Sequence, residues 1–195
     1  MSLFSIKEEK FKSKSIKIML TSLVDGTTGP HYELDFELLG NGPPYILSTN
    51  VFADDDGHRE QQFKFWFDPT SDFHEYKITW NQYQIVFFVD EIPIRVFKNH
   101  QEIGVKYPTV PMHVYSSLWN DTAWLGDVNW SLGPFYANFR GFTINDCGNN
   151  NANCESQLNP QQQKMYQEIR RSAMVSNYCT RPDNHFPECK YDGDI

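Results

Sequence analysis

The sequence predicts an all-β protein, a sandwich or barrel built from short strands. Runs of β-forming residues recur at close spacing along the 195 residues, and turn residues separate them. Aromatic residues make up 15% of the chain, which favours strands. In residues 31–40 polar and apolar side chains alternate, as they do in a half-buried strand. A chain of this length is enough for one main domain.

The individual elements follow from apolar, aromatic and β-branched runs bounded by turns. Residues 7–17 carry five Lys, so we expect a solvated lead-in and then a strand over 16–20. Further strands are expected over residues 31–40, 45–52, 60–67, 76–80, 84–89, 92–97, 110–119 and 135–144.

The last quarter of the chain has a different composition. Asn-rich and Gln-rich stretches follow Cys147, and we interpret residues 157–163 as a linker. Met165, Ile169 and Ala173 then recur every four residues after Pro160, which predicts one helix. We therefore divide the chain into a β domain, 1–146, and a C-terminal extension, 147–195.

All four cysteines, Cys147, Cys154, Cys179 and Cys189, lie in this extension. An even number of cysteines in a loop-rich tail indicates disulfides and an oxidising compartment. Of the three possible pairings we favour Cys147–Cys154 with Cys179–Cys189, since each closes a short loop. Zinc is the competing interpretation, but the sequence has no C-x-x-C pair.

Composition also argues against several classes of protein. The net charge is −8 and no basic stripe is present, so we expect no nucleic-acid partner. The longest apolar run, 85–89, is of strand length, and we expect neither a membrane span nor, from residues 1–10, a signal peptide. The acidic turn 54–56 lacks the ligand spacing of a calcium loop, so we expect no metal.

The alternating segment 31–40 carries the chemistry. Glu33, Asp35 and Glu37 share one face of the predicted strand because side chains alternate with period two, and the apolar residues share the other. Neighbouring carboxylates raise at least one pKa, which suits proton transfer. The alternative is a strand whose acidic face is merely solvated.

Several blocks of sequence carry a resemblance to a known family. They are residues 31–41 (HYELDFELLGN), 49–51, 59–61, 66–70, 83–87, 93–99, 117–120, 177–180 and 187–189. In these blocks the chain resembles the plant xyloglucan endotransglucosylase/hydrolases of glycoside hydrolase family 16. The resemblance implies a curved antiparallel β-jelly-roll sandwich with a glucan-binding cleft and a small C-terminal extension. Family members carry several strands before the catalytic one, so we expect the N-terminal strands here to be shortened or missing.

The resemblance also implies retaining chemistry without a cofactor. Glu33 is then the nucleophile, Glu37 the general acid/base, and Asp35 adjusts the ionisation of the nucleophile. Water or a second sugar chain resolves the glycosyl-enzyme, which separates endohydrolase from endotransglucosylase. The alternative function is a catalytically inactive glucan-binding or vestigial jelly roll.

The substrate-binding residues implied by the family pattern are Glu37, Ser48, Thr49, Asn50, His58, Arg59, Glu60, Trp119, Trp124 and His185. Trp119 and Trp124 are expected to stack on sugar rings, with core packing as the alternative. Ser48, His58 and His185 stand where the family usually has Gln, Asn and Arg. The implied partners are a xyloglucan donor and a xyloglucan oligosaccharide acceptor, for a secreted, monomeric protein of the apoplast or cell wall.

Overall fold

The computed structural model describes residues 2–12, 17–26, 28–40, 42–119, 129–146 and 156–193. Across these ranges twelve strands pair in two antiparallel sheets of six, so the all-β prediction is confirmed. The strands are β1 (Ser2–Lys12), β2 (Lys17–Val24), β3 (His31–Leu39), β4 (Ile46–Asp55), β5 (Gln61–Lys64), β6 (His74–Trp80), β7 (Gln84–Val89), β8 (Ile92–Lys98), β9 (His113–Trp119), β10 (Tyr136–Phe139), β11 (Phe142–Asp146) and β12 (Met174–Asn177).

The strand β3 is an inner strand of the second sheet. The first sheet has the order β10-β1-β6-β7-β8, with β11 also pairing with β1. The second has the order β12-β5-β4-β3-β2-β9, so β3 is bonded on both sides. An inner strand has its backbone hydrogen bonds satisfied by two neighbours, and its register is therefore fixed.

Two predictions about the strands were wrong. The expected solvated lead-in is β1, which pairs with β6, β10 and β11. Its many Lys residues gave no strand signal, but long-range pairing overrides such local preference. The single strand expected over 135–144 is two strands, because Gly141 takes a left-handed φ of 71° between them.

The core lies between the two sheets. Leu34, Phe36 and Leu38 on β3 are fully buried, as the alternation predicted. The ring of Phe36 meets the rings of Phe87 and Tyr76 edge-on, with centroid distances of 5.2 and 5.6 Å. This packing fixes β3 against the first sheet and directs its odd-numbered residues to the opposite face.

The extension is attached to both sheets. Its helix α1 (Pro160–Ser172) confirms the predicted helix and begins inside the predicted Gln-rich linker. The side chain of Asn159 accepts hydrogen bonds from backbone N–H groups of the first turn. The side chain of Gln162 in turn accepts one from the backbone N–H of Asn159, and the two form a capping box. Leu158 and Tyr166 pack on β7 and β8, while β12 pairs with β5. Within the described ranges, no helix combines the length and the apolar character needed to cross a bilayer.

One disulfide is described in the extension. Cys179 and Cys189 are joined, with their Cα atoms 5.2 Å apart, in agreement with the pairing we favoured. Cys147 and Cys154 lie outside the described residues.

We expect the double variant Cys179→Ser/Cys189→Ser to lose about 2–3 kcal/mol of unfolding free energy, because the crosslink restricts a short loop in the unfolded chain. Urea denaturation followed by Trp fluorescence measures this loss. Oxidised wild type is the reference, and reduced wild type should approach the variant. Equal stability of the variant and oxidised wild type would contradict the prediction.

Candidate active site

The acidic residues of β3 lie in a row across the second sheet. Pairing with β4 places them opposite partners on the same face: Glu33 opposite Phe52, Asp35 opposite Asn50, and Glu37 opposite Ser48. On the other side, Val24 and Ser22 of β2 face Glu33 and Asp35. Two strands therefore hold the carboxylates in register.

These carboxylates are not a solvated face. Asp35 is 3% exposed, Glu37 is 7% exposed, and the side chain of Glu33 is 14% exposed. Burying carboxylates costs free energy unless hydrogen bonds or protons compensate them. The interpretation of β3 as a strand with a merely solvated acidic edge is therefore wrong.

Glu33 has a hydrogen-bond partner on each carboxylate oxygen. The hydroxyl of buried Ser22 donates to Oε1. Nε2 of His31 lies 2.7 Å from Oε2. These two contacts orient the carboxylate.

Asp35 is set up to carry a proton. Burial, followed by the charges of Glu33 and Glu37, raises its pKa well above the ordinary value. In its protonated form Asp35 can donate a hydrogen bond to Glu33, with which its side chain interacts. Burial and the neighbouring charges thus favour Asp35 as the neutral member of the row.

We expect Asp35→Asn to flatten the pH dependence of stability. Native Asp35 keeps its proton where unfolded Asp, with a pKa of about 3.9, has lost it, so wild-type stability falls as pH rises through that window. Asn keeps a donor and loses no proton, so at pH 7 the variant should equal or exceed wild type. The cost it avoids is about 1.4 kcal/mol per unit of pKa difference.

Urea titrations between pH 4 and pH 8 measure this effect. Asp56→Asn, at an exposed position, is the matched control and should follow wild type. If Asp35→Asn retained the full wild-type pH dependence, Asp35 would not be the proton carrier.

The predicted binding residues of β4 divide between two faces. Ser48 and Asn50 share the face of the carboxylates. Thr49 points the other way, and its hydroxyl contacts Nη1 of Arg95 at 3.1 Å inside the protein. Oδ1 of Asn50 accepts the backbone N–H groups of Val51 and Arg59, so it orders the turn after β4. The structure brings Ser48 and Asn50 to the carboxylates, and it does not bring Thr49.

The next group of predicted binding residues is engaged by the extension. Arg59 is buried, and its Nε lies 2.6 Å from Oε1 of Glu188. Glu60 accepts a hydrogen bond of 2.8 Å from Arg181. The described contacts of Arg59 and Glu60 thus join the turn after β4 to the tail. His185 is exposed and stacks on Phe186, with the ring centroids 4.5 Å apart. The guanidinium of Arg59 also lies over the ring of Phe186.

Two other predicted positions differ in their exposure. His58 is exposed and has a left-handed φ of 67°. Trp119 is half-buried at the end of β9, where it pairs with Lys17. Trp124 lies outside the described residues.

The strand β9 contributes two residues that the sequence analysis missed. Pairing with β2 places His113 in the row of Glu33 and Tyr115 in the row of Asp35. Both side chains are exposed, and their ring centroids are 6.5 Å apart. No local pattern could reveal these positions, since a register shift between Met19 and Ser22 sets the alignment.

Two partners of Glu33 were missed as well. His31 lies two residues before Glu33 and shares its face, so the period-two rule was a sufficient signal for it. Ser22 had no such signal because it comes from a different strand. In the part of the chain that the structure describes, no group of three or more His, Cys, Asp or Glu residues is arranged to hold a metal.

Comparison with known proteins shows the family of the chain. The family model of glycosyl hydrolases family 16 matches residues 5–132. A probable xyloglucan endotransglucosylase/hydrolase protein 5 of Arabidopsis thaliana is 46% identical over 190 residues, covering 85% of this chain and 65% of that protein. Xyloglucan endotransglucosylase/hydrolase 1 of Glycine max is 46% identical over 191 residues, covering 85% and 64%. The chain spans just under two thirds of the length of these two relatives.

A xyloglucan endotransglucosylase protein 34 of Populus tremula x Populus tremuloides is 40% identical over 220 residues, covering 98% of this chain and 74% of that protein. Among solved structures, Bacillus licheniformis beta-glucanase has a TM-score of 0.59 at 23% identity and covers 71% of this chain and 63% of that one. The laminarinase from Rhodothermus marinus has a TM-score of 0.59 at 20% identity, with coverage of 71% and 62%. These structures share the fold. The chain therefore belongs to glycosyl hydrolases family 16, among its plant xyloglucan endotransglucosylase/hydrolase members.

Proposed function

We propose that this protein is a retaining enzyme that cleaves the β-1,4-glucan backbone of xyloglucan and transfers the cut chain to a xyloglucan acceptor or to water. The observation that carries the proposal is the row Glu33, Asp35 and Glu37 on an inner strand, with two of the three side chains buried. The names of the relatives supply the substrate class.

In the first step Glu33 acts as the nucleophile. Its carboxylate attacks the anomeric carbon, forming a glycosyl ester as the bond to the leaving glucan oxygen breaks. Glu37 donates its proton to that oxygen, so the departing chain leaves as an alcohol. Retaining enzymes need about 5–5.5 Å between the two carboxyl groups, and side chains on one face of one strand can lean towards each other to reach this.

In the second step Glu37 acts as a base. It removes a proton from the 4-hydroxyl of an acceptor glucan or from water, and the oxygen attacks the same carbon. The ester bond breaks, and the electron pair returns to Glu33. Protonated Asp35 donates to Glu33, and this bond strengthens as negative charge returns to the carboxylate.

The face beside the carboxylates suits a sugar acceptor. Tyr115 exposes an aromatic ring on β9, in the row of Asp35. Flat aromatic surfaces stack on the apolar faces of sugar rings. We assign the xyloglucan polymer as donor and a xyloglucan oligosaccharide as acceptor, and we assign a monomer.

We place the protein outside the cell, in the apoplast or cell wall. The bond between Cys179 and Cys189 supports this placement, because disulfides persist in oxidising compartments. The substrate class supports it too, since the relatives are named for a cell-wall polysaccharide.

The test uses the purified protein with high-mass xyloglucan and a fluorescent xyloglucan oligosaccharide. Transfer moves fluorescence into the polymer on size-exclusion chromatography, and hydrolysis shortens the polymer and creates reducing ends. Oligosaccharide binding without either product would overturn the proposal and favour the inactive glucan-binding alternative.

A further inference from the structure

We propose that His31 is a positioning residue for Glu33, held as an imidazolium cation that clamps one oxygen of that carboxylate. The inference rests on the proposed role of Glu33 as nucleophile. It assigns a function to a side chain that contacts the reacting carboxylate directly.

The hydrogen bonds of His31 define its protonation. Nδ1 lies 2.6 Å from the carbonyl oxygen of Gly29, and Nε2 lies 2.7 Å from Oε2 of Glu33. A carbonyl oxygen and an ionised carboxylate only accept hydrogen bonds, so each ring nitrogen must carry a proton. With Glu33 ionised, His31 is therefore a cation.

Packing fixes the orientation of the ring. His31 stacks on Phe52 of β4, with centroids 4.9 Å apart and an angle of 21° between the planes. The backbone of Gly57, in the turn after β4, lies close to the ring of Phe52. A Cβ at this position would come within 2.8 Å of the ring, so the turn confines Phe52. The imidazole is thus held between an aromatic face and two hydrogen-bond acceptors.

The surrounding charges favour the cation. Burial alone lowers the pKa of His31, but the Gly29 carbonyl, the Glu33 carboxylate and the charge of Asp25 outweigh it and raise the pKa above the ordinary value. Two further titratable residues lie on the strands nearby. Asp55 of β4 pairs with His31, and His113 of β9 lies in the row of Glu33. Asp55 is itself bonded to Arg59 at 2.7 Å.

The pH dependence has a definite sign. Below the pKa of unfolded His the ion pair contributes its full stability, and this contribution is lost as pH rises through the higher pKa of the folded state. Once neutral, His31 can donate to only one of its two acceptors. The clamp on Glu33 therefore weakens on the alkaline side.

The clamp has opposite effects on the two chemical steps. Attack by Glu33 converts its carboxylate to a neutral ester, so the ion pair with His31 is lost in the intermediate. When the ester breaks, the charge returns to Glu33 and the ion pair is restored. His31 therefore favours release of the glycosyl group to the acceptor and keeps resting Glu33 aligned.

The first experiment does not depend on activity. Nitrogen-15 NMR of histidine-labelled protein, with the signal assigned through His31→Gln, follows protonation of both ring nitrogens against pH. We expect both ring nitrogens of His31 to stay protonated to a higher pH than in unfolded His, and to lose that state at lower pH in Glu33→Gln. The signal of His100, which contacts Glu102 after β8, is the matched control and should be the same in both proteins. A midpoint for His31 at or below that of unfolded His, or one unaffected by Glu33→Gln, overturns the inference.

The second experiment measures turnover of xyloglucan by two variants. His31→Ala should lower kcat roughly tenfold to a hundredfold, as expected for loss of a charge-assisted hydrogen bond. His31→Gln, which retains an N–H donor without charge, should recover part of that loss. Because slower release of the glycosyl group lowers KM together with kcat, KM should fall or stay unchanged in both variants. His100→Gln should match wild type. A raised KM with unchanged kcat would show that His31 binds sugar, and that result overturns positioning. If Glu33→Gln remained active, the proposed function would fail, whatever the NMR titration showed.

Discussion

The variant Glu33→Gln is expected to lower xyloglucan cleavage and transfer by about 10³–10⁵-fold, the scale on which enzymes respond to loss of a covalent nucleophile. Gln preserves the size of the side chain and can keep contact with Ser22 and His31, but its amide is too weak a nucleophile to form the glycosyl ester. Size-exclusion assays of polymer length and label transfer measure both activities. Circular dichroism and urea denaturation check that the fold is retained.

A matched control and a chemical test separate the roles of the two glutamates. Glu168→Gln, on the exposed face of α1, should keep wild-type activity. A xyloglucan oligosaccharide with an acidic phenol as leaving group needs no proton from Glu37, so it should restore the first step in Glu37→Gln and not in Glu33→Gln. Restoration in both variants, or in neither, would contradict the assignment.

The second large effect is expected on stability, at the contact between the turn after β4 and the tail. Arg59 and Glu188 form an ion pair with a distance of 2.6 Å, and their side chains are only 6% and 5% exposed. Removing one partner leaves an uncompensated buried charge, so Arg59→Met should cost about 3–5 kcal/mol of unfolding free energy. Urea denaturation followed by Trp fluorescence measures the loss.

A more exposed pair nearby provides the comparison. Arg181 and Glu60 also join the tail to this turn, but their side chains are 39% and 16% exposed. Arg181→Met should therefore cost less than about 1 kcal/mol. The double variant Arg59→Met/Glu188→Leu should recover much of the loss, since it buries no unpaired charge. Equal costs for the two single Arg variants would show that burial does not control this contact.

This ion pair gives the extension a role in supporting the site. Arg59 donates its backbone N–H to Asn50, which lies opposite Asp35 on the face of the carboxylates. Arg95 links the core side of the same strand to the tail, because it donates to Thr49 and lies over the ring of Tyr178. The tail therefore supports β4, the strand that pairs with β3. Deletion of the tail should therefore disturb the position of the carboxylates, because β4 would lose these contacts.

Local sequence patterns were sufficient to predict the core face of β3 and the helix α1. The alternation in residues 31–40 is sufficient to place Leu34, Phe36 and Leu38 in the core, because side chains on a strand alternate whatever the partner strand is. The periodic residues before Ala173 predicted α1 for a similar reason, and the cap at Asn159 then decided where it begins. The roles of Glu33, Asp35 and Glu37 came from the resemblance to the family and remain predictions.

The sequence by itself determined which face of β3 carries the acids, because a two-residue period needs no tertiary information. Only the tertiary structure decided what surrounds those acids: Ser22 from β2, the stacking of His31 on Phe52, and the burial that favours a proton on Asp35. It also decided that Arg59 and Glu60 bond to the tail, and that Thr49 faces the core. The physical reason is that strand register, bulges and burial depend on pairing between distant segments, and no local pattern encodes that pairing.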